Sequence, residues 1–137
     1  MLNDFLGYLI MKSGLQIKFA IRQAYMKESI EITPEQWAIL HALSENGEQT
    51  QKQLADTLMK QKPNITRLID ILEEKKLVMR ASVESDRRAF NVYITEEGRT
   101  LAEDILNKTI KYRKNFYKKL TDEEIETLKS LLLKLTD

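Results

Sequence analysis

Apolar residues recur mostly at three- and four-residue steps near the start of the chain, at Leu2, Phe5, Leu6, Leu9, Ile17, Ile21 and Ala24. That spacing predicts a long amphipathic helix from Leu2 to about Tyr25, with Gly14 a weak point inside it. A second helix is predicted from Pro34 to about Glu45. Thr33 is a good N-cap, Pro34 fits the first helical position, where its missing N–H costs nothing, and Gln36 completes a capping box. Asn46-Gly47 signals a left-handed stop. The device returns at Thr50 and Gln53, which open a short third helix carrying Leu54, Ala55 and Leu58 and ending near Met59. Pro63 marks the next start, and Ile65, Leu68, Ile69 and Leu72 share one face of a fourth helix. So tight a connection makes a helix-turn-helix plausible, although helical bundles also use short connections.

After Lys76 the period changes. Leu77, Met79, Ala81 and Val83 alternate with Val78, Arg80 and Ser82; beyond the ESDRRA tip, Phe90, Val92 and Ile94 alternate with Asn91, Tyr93 and Thr95. Two runs of period two around a polar connection predict a β-hairpin. Thr95 then caps a long helix carrying Leu101, Ile105, Tyr112, Phe116 and Leu120. The last segment opens on a third capping box, Thr121 with Glu124, and lays Leu128, Leu131, Leu132 and Leu135 on one stripe. A helix-turn-helix followed at once by a hairpin is a winged helix. The expected fold is therefore mainly α with a small β-hairpin wing, one domain over residues 1–137 with the winged helix-turn-helix at about 34–98. No internal repeat, linker or low-complexity tract interrupts it.

Composition narrows the picture little, and mostly by exclusion. Hydrophobic residues at 42%, charged residues at 31%, four Gly and two Pro in 137 residues fit a folded, helix-rich soluble chain. The net charge of +1 gives no overall attraction to polyanions, so any such site has to be local. The absence of cysteine excludes disulfides, thiolate metal sites and thiol redox switches, and fits a reducing compartment. The FLGYLIM run follows Asp4, lacks a cleavage pattern and is too short to span a bilayer, so a cytoplasmic protein with no membrane partner is expected. A single histidine without cysteine excludes a His-Cys pair, and no His-x-x-x-His, Gly-x-Ser-x-Gly or glycine-rich phosphate loop is present. The pairs Glu73-Glu74, Glu96-Glu97 and Glu123-Glu124 fall at helix ends or starts, where solvation and the helix dipole account for them. No catalytic residue, metal site or cofactor is expected.

Local charge is more telling. The N-terminal part of the fourth helix displays Lys60, Lys62, Asn64, Thr66 and Arg67, with no acid from Gln61 to Ile69. Arg and Lys match guanine edges, Asn matches adenine, and Thr meets bases or the thymine methyl. A recognition helix is read near its N-terminus. A solvated basic face would carry the same charges. The wing weighs against that alternative: a hairpin tip beside a helix in the major groove lies near the flanking phosphates and minor groove, where a guanidinium meets enhanced negative potential. Arg87 and Arg88 occupy that tip, and Asp86 is placed to orient one of them by a charge-assisted bond.

The order of elements, the KPNITRLIDILEEKKLVMR segment and the DRRAFNVYITEEG wing resemble the MarR (multiple-antibiotic-resistance regulator) family of bacterial transcription factors, over nearly the whole chain. The family's wing pattern, Asp-x-Arg followed by an alternating strand ending in Thr-x-x-Gly, falls on Asp86, Arg88, Thr95 and Gly98. The resemblance implies a homodimer, built by terminal helices at about 1–27 and 99–137, that binds a pseudo-palindromic double-stranded operator and is released by a small ligand. It further implies Arg88 in the minor groove and Arg87 nearer the phosphates. Asn64, Thr66 and Arg67 are then expected on base edges, Thr50, Gln51 and Lys62 near phosphates, with Pro63 in the same surface. Two-fold symmetry sets the half-sites roughly 34–36 Å apart. The C-terminal leucine stripe independently favours a dimer, because a short chain of extended helices would leave it exposed. Where many relatives have glycine, Lys76 closes the recognition helix, a less comfortable C-cap. Without cysteine the oxidation-sensing branch is excluded, and a phenolic or other small aromatic effector remains compatible.

His41 follows Trp37 by one helical turn. Both fit the inner face of the second helix, since aromatics at helical spacing more often fill cores than bind ligands. The resemblance offers another place for them, a ligand cavity between the dimer region and the winged helix, to which Tyr8, Lys12, Arg22 and Tyr112 would contribute. A different class of function, a winged helix that binds protein and not DNA, would not need cationic residues on both helix and wing.

Overall fold

A computed structural model of the chain describes the backbone of residues 1–59, 62–83 and 86–136, and their side chains except at 62, 83 and 86–89. A 3₁₀ turn, Leu2–Asp4, precedes α1 (Leu6–Lys27), α2 (Pro34–Asn46), β1 (Gln49–Thr50), α3 (Gln51–Leu58), α4 (Lys62–Glu74), β2 (Val78–Val83), β3 (Asp86–Ile94), α5 (Glu96–Phe116) and α6 (Asp122–Thr136). The first helix starts later than its apolar spacing predicts because Phe5 is extended, at φ −100° and ψ 116°. It also ends later, in a Schellman closure: Ser29 takes φ 54°, Ile30 N donates to Tyr25 O at 2.9 Å, and Ser29 N donates to Met26 O at 3.2 Å.

All three predicted capping boxes form. Thr33 Oγ1 accepts from Gln36 N and Gln36 Oε1 accepts from Thr33 N, and the same exchange joins Thr50 with Gln53 and Thr121 with Glu124. Each satisfies two of the N–H groups that a helix start leaves without partners. Gly47 ends α2 with a positive φ of 77° but a ψ of −161°, so the stop uses glycine's freedom without the left-handed helical geometry that the Asn-Gly pair predicts.

The hairpin is the larger part of an antiparallel three-stranded sheet of order β1-β3-β2. β1 has no counterpart in the sequence reading. It pairs Gln49 with Val92 and Thr50 with Asn91, too short a run for any periodicity to reveal. β2 and β3 pair Val78 with Ile94 and Arg80 with Val92, with an irregularity between Ser82 and Val83. The apolar residues Met79 and Ala81 turn away from the core: Met79 is 49% exposed beside the Tyr93 hydroxyl, whereas Val78 and Val92 are fully buried. Successive strand side chains alternate in direction, so Arg80 points inward with Val78.

The chain divides into two compact units, residues 25–108 and residues 1–24 with 109–137. The 25–108 unit holds a continuous core in which Ile39, Leu40 and Leu43 of α2 meet Leu54, Ile65, Ile69, Leu72, Val78, Val92 and Ile105. Burial stabilises each such side chain by about 1.5–3 kcal/mol relative to exposure. The other unit leaves many apolar side chains outside, among them Phe19, Leu128, Leu131 and Leu135. No helix among the described residues is long and apolar enough to cross a membrane.

Candidate nucleic-acid interface

The core fixes how α4 is rotated. Ile65, Ile69 and Leu72 are fully buried, so Pro63, Asn64 and Arg67 are carried to the exposed face and Thr66 to a half-buried flank. The side chains of Asn64 and Arg67 lie exposed on one surface, and neither makes a hydrogen bond or ion pair with another described side chain. Thr50 and Gln51 stand at the start of α3, and Gln51 reaches α4, its amide 3.4 Å from the Thr66 hydroxyl. The structure thus brings Thr50, Gln51, Pro63, Asn64, Thr66 and Arg67 into the α3–α4 pair. The side chains of Lys62, Asp86, Arg87 and Arg88, and all of Lys60 and Gln61, lie outside the described residues; the backbone of Asp86 pairs with Val83.

A residue missed in the sequence holds this surface together. Arg80, on the inward face of β2 with its side chain 17% exposed, donates to Glu73 Oε1 at 2.8 Å and to Asp70 Oδ1 at 2.6 Å. Its Nη2 also lies 3.4 Å from the Thr66 carbonyl, and its backbone N donates to Glu73 Oε2 at 3.2 Å. With the Gln51 amide oxygen oriented toward it, Gln51 accepts from Nε and Nη2 at 3.3 Å each. One guanidinium therefore joins α3, α4 and β2. A signal was available: a cation at an inward strand position must find partners, and Asp70 and Glu73 stand one helical turn apart on the adjacent helix.

The corner where α4 becomes the wing explains the Thr-x-x-Gly pattern. Leu77 N donates to Leu72 O at 3.0 Å and Lys76 N to Glu73 O at 2.9 Å, another Schellman closure, with Lys76 at φ 63°. Thr95 Oγ1 lies 2.9 Å from Lys76 O and 3.0 Å from Leu77 O, and accepts from Gly98 N at 3.0 Å. A Cβ on Gly98 would overlap the Leu77 carbonyl oxygen, so the close approach admits only glycine without displacement.

The residues expected around an effector lie in both units. Within 25–108, Trp37 stacks on His41 with ring centroids 4.8 Å apart and planes at 15°, and its Nε1 donates to Ala102 O at 3.1 Å. In the other unit, Lys12 Nζ stands 6.0 Å from the centre of the Tyr8 ring, and Lys111 Nζ lies 5.3 Å from that of Tyr112. Arg22 belongs to that unit as well, on α1. A cleft of about 440 Å³ in the 25–108 unit has other walls, from Ile30, Ile32, Leu77, Leu101, Lys75 and Lys108 among others. No group of His, Asp and Glu among the described residues is arranged to hold a metal ion.

Known proteins share the fold. The MarR family model matches residues 32–90, which run from the approach to α2 into β3. A mutant MarR from E. coli complexed with operator DNA is 25% identical, with a TM-score of 0.85 over 96% of this chain and 94% of that one. A probable transcriptional regulator from Pseudomonas aeruginosa is also 25% identical, with a TM-score of 0.85 over 98% of this chain and 99% of that one. A MarR-family regulator from Rhodococcus sp. RHA1 has the same fold at 24% identity, with a TM-score of 0.89 over 98% of this chain and 94% of that one. The winged-helix segment thus matches the MarR family model, and nearly the whole length of the chain shares its fold with solved transcriptional regulators, a MarR among them.

Proposed function

We propose that the protein is a homodimeric, sequence-specific DNA-binding regulator, a ligand-responsive repressor acting on a pseudo-palindromic operator and not an enzyme. One observation carries the reading. The exposed face of α4 offers the side chains of Asn64 and Arg67 with no partner among the described side chains, while Asp70 and Glu73, the acids that would repel phosphate, are occupied by Arg80. The likeness to a MarR bound to operator DNA supports it. In this reading Asn64, Thr66 and Arg67 meet base edges, Thr50, Gln51 and Lys62 meet phosphates, Arg88 enters the minor groove and Asp86 orients it. The effector in this reading is a small aromatic or phenolic molecule. It releases DNA only by binding better to a dimer whose recognition helices are misspaced.

Fluorescence-anisotropy titration against DNA upstream of the protein's own gene and against scrambled DNA, at two salt concentrations and with Arg88→Ala alongside, tests the reading. Selective, salt-sensitive binding that the variant loses is expected. Selective binding that survives in Arg88→Ala would discard the wing role. Should a random-sequence selection also return no preferred site, the regulator reading falls and a protein-binding winged helix takes its place.

A further inference from the structure

Thr66, Asp70 and Glu73 stand at i, i+4 and i+7 of α4, one stripe along the helix, and the Arg80 guanidinium touches all three. The same group meets Gln51 at the start of α3. Arg80 is mostly buried, whereas Asp70 and Glu73 are 59% and 42% exposed, so the contacts are fixed from the strand side. A planar fork that spans two carboxylates, a carbonyl and an amide sets distances and angles together, which a point charge cannot do. Gln51 and Thr66 are joined to each other as well as to Arg80.

We propose that Arg80 is the positioning residue for sequence reading. Without touching DNA, it holds Gln51 and Thr66 in one arrangement across α3 and α4 and locks the root of the wing to the recognition helix. This rests on the DNA-binding reading above. In specific recognition, phosphate contacts set affinity for any sequence while base contacts set the preference. Loss of the clamp therefore acts on preference.

The measurement is the ratio of cognate to scrambled affinity, with the cognate site taken from a random-sequence selection by the unaltered protein. The effect of one charge on phosphate attraction is common to both sequences and cancels in the ratio. Arg80→Lys keeps the charge and removes the fork; Arg80→Met removes both. Each is expected to lower the ratio by about tenfold or more, the scale of one misplaced base contact. Thr66→Ala, at the base-reading position that the clamp holds, should change the ratio less in the Arg80→Met background than alone, because residues of one network do not act additively. Urea unfolding of each variant separates a loosened surface from a lost fold. Should the Arg80 variants fail to fold, Asp70→Asn removes one arm at nearly constant shape and is expected to lower the ratio too. A folded variant set whose ratios stay within about threefold of the parent, with additive Thr66→Ala effects, overturns the positioning role while leaving the regulator reading intact. A parent protein that selects no sequence overturns both.

Discussion

Lys76 and Gly98 sit a few ångströms apart on the corner between α4 and α5, and they break the ordinary rule in opposite directions. Lys76 adopts φ 63°, a left-handed conformation that costs a residue with a Cβ roughly 1–2 kcal/mol. Glycine would remove that strain but would widen the unfolded ensemble by roughly 0.5–1 kcal/mol, so Lys76→Gly is expected to stabilise the protein by about 0.5–1 kcal/mol. The midpoint of urea unfolding should rise with no change in slope; an unchanged or lower midpoint would show the closure to be unstrained. Gly98→Ala should do the reverse. Its Cβ meets backbone first, the Leu77 carbonyl oxygen, which cannot turn aside, and then Ile94 Cγ1. The expected loss is about 1–3 kcal/mol, as for other overpacked sites, and a midpoint equal to the parent's would refute the close approach.

Among the elements, legibility followed the range of the forces involved. The three capping boxes could be read because each is closed by residues three apart, and all three are formed. The switch from period 3.6 to period two at Lys76 marked the wing for the same reason. β1 was invisible because two residues acquire a strand conformation only from β3, which lies some forty residues later in the sequence. The inward turn of Arg80 was hidden by its apolar neighbours Met79 and Ala81, which suggested the opposite face; only the carboxylates of α4 reverse that preference. Of the candidate site, the α4 residues were legible because a buried stripe dictates an exposed one. Arg80 was not, since its partners come from two other elements. The exposed stripe gives its own prediction. Arg67→Ala should cost about 1–3 kcal/mol of cognate binding and relax the preference at one position if it reads guanine. Lys62→Ala should weaken all sequences alike and flatten the salt dependence by about one phosphate. Arg67→Ala with unchanged affinity and unchanged preference would place the reading surface elsewhere.

On the scale of the whole molecule, α6 raises a question that one chain does not answer. It is fifteen residues long with no buried residue, and Leu128, Leu131, Leu132, Leu133 and Leu135 are 41–64% exposed. An isolated helix of that length is marginal in water, and most helical stability in proteins comes from packing an apolar face. α1 adds Leu6, Met11, Leu15 and Phe19, each about two-thirds exposed. Apolar surface on this scale marks an interface, and in the proposed regulator the occupant is a second copy of the chain. A carboxylate placed in that surface would be buried without a partner on both sides of the two-fold axis. Leu131→Glu with Leu135→Glu is therefore expected to sediment as a monomer at micromolar concentration where the parent is a dimer, and to leave the winged helix folded. Operator affinity should then fall by roughly 10²–10⁴, the advantage of tethering two half-site contacts. Separating the half-sites by half a helical turn of DNA, about five base pairs, should cost the parent dimer a similar factor and the monomeric variant almost nothing. The contrast is the decisive part: equal sensitivity of both proteins to spacing would mean that the two half-sites are not read by one dimer.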